Sequence, residues 1–326
     1  MDSIPCSLCG SESADLVLAG RDRLHNLGGT FHVVRCRRCG LLYLNPRPSP
    51  DELQDYYPTD DYIPYTVAIE DEPSPFKRLD RRFGLHKRCR AVTAQFSQPG
   101  RMLDVGCATG IFVDGMRRRG WEAYGVEINP EVAQYARQRL GLNVFTGELA
   151  DAAFAEGFFD LVTLWDVLEH VSDPRQTLQE IARVLRPGGL LVLSLPSLES
   201  LEARLFGPYW IGWDLPRHLH LFPRPVLTQL LEETGFQLTK LSFFTGRYYV
   251  FVLSTQLWLE ERLSSKRLRK VILGTMRSWP MRLLALPFYA VLDRLGKSSI
   301  MVAFAHRVKV RDCYEKESCH AGNPPA

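Results

Sequence analysis

The stretch Leu103-Asp104-Val105-Gly106-Cys107-Ala108-Thr109-Gly110 decides the fold of this 326-residue chain. An apolar strand runs into a Gly-x-x-x-Gly loop, where Gly106 and Gly110 let the backbone turn sharply and a ligand lie against main-chain amides. This is not the Gly-x-Gly-x-x-Gly loop of a dinucleotide site, because Asp104 stands two residues before the first glycine. A carboxylate there repels a pyrophosphate and attracts a cationic ammonium group, directly or through water. The spacing therefore predicts a ligand with an amino-acid end.

Outward from this loop, strand and helix patterns alternate. Strands are expected at 102–105, 122–126, 143–145, 160–165, 189–195 and 236–244, with helices at 111–119, 131–140, 174–184 and 225–234. Such alternation predicts a parallel sheet covered on both faces, with ligands beyond the carboxyl ends of the strands. The second strand ends in Val126-Glu127-Ile128-Asn129, which places a carboxylate where nucleoside-binding α/β folds hold a ribose hydroxyl. After the third strand, Glu148 or Asp151 is positioned to approach an adenine amino group. The fourth leads into Trp165-Asp166-Val167-Leu168-Glu169-His170, again polar and aromatic at a carboxyl end.

These residues, with Leu185-Arg186-Pro187-Gly188-Gly189 before the fifth strand, resemble the class I S-adenosylmethionine-dependent methyltransferases over about residues 100 to 245. The resemblance is strongest to the ubiquinone-biosynthesis-like branch. It implies a doubly wound, mostly parallel seven-stranded Rossmann-like sheet, closed by an antiparallel strand at 299–306. It also implies an adenosylmethionine site: Asp104, Gly106, Cys107, Ala108 and Gly110 near the methionine end, Glu127 on the ribose and Asp166 lining the pocket, with Ile128 and Glu148 as further cofactor-binding candidates.

Four of the eight cysteines form two Cys-x-x-Cys pairs, Cys6/Cys9 and Cys36/Cys39, each followed by glycine. Four soft sulfur donors in knuckles suit tetrahedral Zn(2+), so a structural zinc ribbon is expected, with strands at 16–18 and 31–34 bringing the knuckles together. Leading zinc knuckles of this kind are similar to those of bacterial sugar and natural-product methyltransferases. The expected organisation is a zinc ribbon over 1–45, a linker and helical segment over 46–98, a methyltransferase domain over 99–312 with a helical insertion at about 247–297, and a polar, flexible tail over 313–326.

The composition, 45% hydrophobic with a net charge of +3, excludes a disordered chain and does not by itself call for a nucleic-acid partner. No stretch is long and apolar enough to span a bilayer, and Met1-Asp2-Ser3-Ile4-Pro5-Cys6 lacks the basic and apolar regions of a secretory signal. A cytoplasmic location is expected. Residues 241–312 nevertheless carry +9, and 262–273 interleave basic and apolar residues. Such a helix either docks peripherally on an anionic membrane at its inner face or on a phosphate-bearing substrate, or packs into the core with a solvated side.

The segment 210–222 is too polar and aromatic for a mere connector, and an extended conformation would put His218, His220 and Phe222 on one face. His218 or His220, with His170 third, is the candidate general base. The expected reaction is methyl transfer to an oxygen, or a carbon, of a small-molecule acceptor: a sugar, a quinone-like phenol or a lipid-linked glycan. Two alternatives are an RNA methyltransferase reading RNA through Arg35, Arg37 and Arg38, which the acids at 51–61 oppose, and a non-catalytic scaffold.

Overall fold

The computed structural model describes residues 1–57, 69, 72, 74–244 and 247–308, so the expected tail over 313–326 lies outside the described residues. Along the chain run β1 (Ala14–Gly20), β2 (Phe31–Cys36), β3 (Leu42–Leu44), α1 (Pro50–Gln54) and α2 (Pro75–Thr93). Then come β4 (Arg101–Val105), α3 (Ile111–Arg117), β5 (Glu122–Glu127), α4 (Pro130–Leu140), β6 (Asn143–Thr146) and β7 (Phe159–Trp165). The second half contains α5 (Pro174–Val184), β8 (Leu185–Pro196), α6 (Leu201–Phe206), β9 (His220–Leu221), α7 (Arg224–Glu233) and β10 (Phe236–Ser242). Three helices follow, α8 (Arg247–Arg262), α9 (Lys266–Arg277) and α10 (Trp279–Arg294), before β11 (Ile300–Arg307).

Among the described residues two sheets form. The larger has seven strands in the order β10-β11-β8-β7-β4-β5-β6, with β6, β5, β4, β7 and β8 parallel to one another and β11 antiparallel to both of its neighbours. The short parallel strands read as nearly continuous apolar runs because helices bury both faces: Leu103, Val162, Leu164 and Leu193 fill one side with α5 and α7, Met102, Leu161 and Val192 the other with α2 and α3. The chain leaves β4 toward β5 on one side and returns to β7 on the other. That reversal opens a crevice above β4, where Gly106, Glu127 and Asp166 emerge together.

The second sheet, β1-β2-β3-β9, is antiparallel and departs from expectation. Its fourth strand comes from the 210–222 segment: Leu42 pairs with Leu221 and Tyr43 with His220. That segment is therefore not one extended run. It contains a 3-10 turn at Ile211–Trp213 and a bend in which His218 N donates to Asp214 O, and only His220 and Leu221 are strand. The reason is burial: Leu219, Leu221 and Phe222 all find apolar partners, which a strand exposed on one face could not give them.

Two helix boundaries also moved. The helical part of the segment expected over 46–98 ends at Thr93. The basic helix expected over 262–273 begins only at Lys266, because Ser265 caps it by accepting from Leu268 N, while Arg262 belongs to α8.

Candidate active site and cysteine cluster

The crevice is built on the loop after β4. Gly106 at φ +67° and Gly110 at φ +76° adopt conformations that a side chain resists, and a Cβ on Gly106 would lie 2.6 Å from Val167 Cγ2. The loop is pinned from the neighbouring strand: Gly106 N and Cys107 N donate to Val126 O, and Ala108 N donates to Glu127 Oε2 at 2.8 Å. Glu127 Oε1 accepts from Asn129 N at 2.9 Å. One buried carboxylate thus holds both the glycine loop and the start of α4, and each oxygen retains acceptor capacity. Burial pushes Glu127 above its ordinary value, and the backbone N–H groups of Asn129, Ala108 and Ile128 oppose that shift.

Asp104 lies deeper. It is buried, its Oδ1 accepts from Thr163 Oγ1 at 2.6 Å, and burial pushes it up to about 7 despite that hydroxyl and the field of Arg88. Cys107 is buried under the loop and Ile128 is exposed beside Glu127, an apolar side chain at the lip of the crevice. Asp166, at φ +57°, is exposed and accepts from Ser194 Oγ at 2.8 Å. Glu148 lies exposed just before the 3-10 turn Ala150–Ala152, next to Asp151.

The three candidate histidines separate. His170 and His218 pack edge to face, ring centroids 4.7 Å apart. His218 Nδ1 lies 2.8 Å from Gly212 O and His170 Nδ1 lies 3.0 Å from Arg217 O. A carbonyl only accepts, so both Nδ1 atoms carry the proton and both Nε2 atoms keep a lone pair. Burial pulls His170 down to about 3 and lowers His218 as well, where the nearby Asp214 carboxylate works in the opposite direction.

His220 is a correction. It is fully buried in β9, its Nε2 bonds Ser7 Oγ at 2.9 Å, and it serves the joint between the two sheets rather than the crevice. The pairing of His218 with His220 on one face fails with it.

Three further residues complete this wall. Glu169 is fully buried with neither carboxylate oxygen hydrogen-bonded among the described residues, and burial pushes it well above its ordinary value. It offers an oxygen within 4.8 Å of a ring nitrogen of both His170 and His218, a set able to hold a cation. Its backbone carbonyl accepts from Leu219 N and His220 N, which ties the loop after β7 to the 210–222 segment. Asp214 and Arg217 sit behind the imidazoles, with Asp214 Oδ2 at 4.0 Å from His218 Nε2. No motif pointed to Arg217, because beyond Asp214 its partners, Asp22 and Tyr56, are remote in sequence.

In the N-terminal sheet the four Sγ atoms of Cys6, Cys9, Cys36 and Cys39 lie within 4.8 Å of one another, with Cys6–Cys39 and Cys9–Cys36 at 3.5 Å. A tetrahedral ion with sulfur ligands at about 2.3 Å needs sulfurs about 3.8 Å apart, so the donor set fits such an ion. Burial alone would raise the Cys36 thiol, yet the amides of Cys39 and Arg38 and the neighbouring thiols hold it at about 6.

A crevice at the strand-order reversal, a glycine loop and a clamping acid on the next strand define a nucleoside-binding α/β domain. A family model described as a methyltransferase domain matches residues 79–241, and the chain belongs to that family, the class I S-adenosylmethionine-dependent methyltransferases. The chain is 32% identical over 158 residues to the ubiquinone biosynthesis O-methyltransferase of Azoarcus sp. (strain BH72), covering 44% of this chain and 67% of that protein. To the same-named protein of Alkalilimnicola ehrlichii it is 39% identical over 130 residues, covering 37% of this chain and 52% of that protein. The chain thus spans about half to two thirds of the length of these curated relatives. Among solved structures, an S-adenosylmethionine-dependent methyltransferase from Archaeoglobus fulgidus is 19% identical, covering 72% of this chain and all of that one, with a TM-score of 0.46.

Proposed function

We propose that the chain transfers a methyl group from S-adenosylmethionine to a hydroxyl oxygen of a small-molecule acceptor, a sugar or a quinone-like phenol, with His218 as the proton acceptor. The observation that carries this reading is the pair of imidazoles whose Nδ1 protons are committed to backbone carbonyls, leaving Nε2 lone pairs beside the crevice. The names of the relatives support oxygen as the acceptor atom. Adenosylmethionine, once bound, supplies an electrophilic methyl group on a positively charged sulfur. The residues of the chain do the rest. Glu127 and the loop from Gly106 to Gly110 fix the nucleoside, Ile128 and Glu148 flank its base, Asp104 faces the amino-acid end and Asp166 bounds the acceptor side. Positioning supplies most of the rate. His218 takes the hydroxyl proton at Nε2, and Asp214 stabilises the imidazolium that results.

Methyl-labelled adenosylmethionine tested against panels of phenols, sugars and lipid-linked glycans should give a labelled ether. Replacing His218 by alanine should cut kcat by about a hundredfold or more while calorimetric cofactor affinity stays unchanged. Label reaching none of these acceptors defeats the assignment, and an unchanged kcat removes His218 from it.

The buried Asp104 makes cofactor binding depend on pH. Its folded value is raised, so it takes up a proton on folding; the stability it contributes is present in acid and is lost as pH rises through about 7. An ammonium group held beside it favours the carboxylate and expels that proton. The affinity for adenosylhomocysteine should therefore rise up to about tenfold per pH unit below about 7 and then level off, with proton release on binding. Asp104→Asn should flatten the profile. Proton uptake, or a dissociation constant independent of pH in the native chain, rejects the pairing.

We assign Zn(2+) to the four-cysteine cluster on the chemistry of its donors: four soft thiolates in knuckle turns, with no open position for substrate. Its role is structural, joining the strands that receive β9. The RNA alternative is weakened because Arg37 is bound to Asp15 at 2.5 Å and Arg38 lies 3.4 Å from Cys9 O.

A further inference from the structure

The helices between β10 and β11 bear a surface that methyl transfer does not use. On α10, Trp279, Leu283, Leu284, Phe288, Val291 and Leu295 at its end are all exposed, Trp279 by 62% and Leu284 by 72%, while Tyr289 and Leu292 face inward. At 100° per residue the exposed positions of this helix form one continuous face interrupted by a single charge, Arg294. Beside it, α9 exposes Leu268 and Val271 between Lys266, Arg267 and Lys270. Leu79 and Phe83 on α2 are exposed as well, and Asp80 bonds Arg282 of α10 at 2.8 Å, which joins α2 to this face. A monomer in water seldom leaves so many large apolar side chains uncovered on one helix.

The surrounding charge indicates what covers them. Residues 263–297 contain eight Lys or Arg and one acid, Asp293, whose Oδ1 accepts from Ser298 Oγ. A second copy meeting this face about a two-fold axis would set this excess of positive charge against itself. An anionic lipid surface complements it: apolar side chains enter the acyl boundary and lysines and arginines meet phosphate. No helix among the described residues is long and apolar enough to cross a membrane, and α10, at 16 residues with Pro287 inside, suits lying in the interface instead.

We infer that the α9–α10 face docks the protein on the surface of an anionic bilayer, lying in the plane of the interface without spanning it. This attachment stands on the exposed face and its charge and does not depend on the acceptor assigned above. It is mechanically connected to the crevice wall, because α8 packs against the turn before His218, where Ile211 N donates to Ser254 Oγ at 3.0 Å.

The test is co-sedimentation of the full chain with vesicles of phosphatidylcholine alone or with roughly a third phosphatidylglycerol, alongside sedimentation velocity without lipid. Binding should be at least about tenfold stronger to the anionic vesicles and should weaken with salt. Leu284→Gln with Phe288→Gln should abolish it, and Lys266→Gln with Lys270→Gln should weaken it about tenfold or more, with circular dichroism and calorimetric adenosylhomocysteine binding unchanged in both. Equal binding to both vesicles, or none, overturns the inference. So does a dimer in solution that Leu284→Gln with Phe288→Gln dissociates, which would assign the face to a second copy.

Discussion

Replacing Glu127 by alanine is expected to weaken adenosylmethionine binding by about a hundredfold or more while the chain remains folded. The carboxylate has two duties. It accepts from Ala108 N and Asn129 N, holding the glycine loop and the α4 terminus together, and in the proposed site its remaining lone pairs meet the ribose hydroxyls. Hydrogen bonds to a charged group contribute about 1.5–3 kcal/mol each, so losing two ribose contacts costs about 3–6 kcal/mol before the loop relaxes. Glu127→Gln should fall between, since its amide keeps one acceptor but turns an NH2 group toward a backbone N–H. Calorimetry decides: a dissociation constant for Glu127→Ala within about threefold of the native one rejects the clamp.

The largest effect on stability is expected at Arg217. The guanidinium is wholly buried and bridges Asp22 and Asp214, with Nη2 at 2.9 Å from Asp22 Oδ1 and 2.6 Å from Asp214 Oδ1, while Nη1 donates to Tyr56 O at 3.0 Å. Asp22 is itself committed, accepting from Leu24 N and His25 N in the loop after β1. Arg217→Met would strand the buried carboxylate of Asp22 and the largely buried one of Asp214, at a cost of about 3–5 kcal/mol. Burial pushes Asp214 up, but Arg217 overrides it and holds the acid below its ordinary value. A lowered carboxylate stabilises the fold at neutral pH, and that contribution is lost as pH falls through its folded value, so the native chain should lose stability in acid and Arg217→Met less so. Chemical denaturation should show the lowered midpoint, with most of it restored by adding Asp22→Asn and Asp214→Asn. A midpoint unchanged by Arg217→Met contradicts the bridge. Because His170 Nδ1 donates to Arg217 O and Asp214 faces His218, kcat should fall as well.

Where a signal is local, the chain announces it. The turn after β4 is a matter of which residues tolerate positive φ, the cysteine knuckles of two Cys-x-x-Cys pairs, and the α/β sheet of apolar runs alternating with amphipathic helices; each is complete within a few residues or one period. Glu127 is legible for the same reason, since a fixed crossover length places it one strand from the loop it holds. The insertion between β10 and β11 was likewise visible in its charge.

The histidine wall was not legible in this way. His170 and His218 meet because β9 leaves the main domain to complete the N-terminal sheet, and that pairing joins Tyr43 to His220 across the chain. Alternation along 218–222 suggested a shared face for His218 and His220, but burial of Leu219 and Leu221 turned the two rings to different neighbours. Arg217 and Asp22 are 195 positions apart, and no spacing rule connects them. Propensity and periodicity act over one turn or one strand pair, whereas which side chains converge behind the two imidazoles depends on how whole elements pack to exclude water. The sequence alone thus determined the sheet, the nucleoside crevice and the cysteine knuckles. Only the folded packing decided that His170 and His218, rather than His220, keep free Nε2 lone pairs, and which buried ion pair lies behind them.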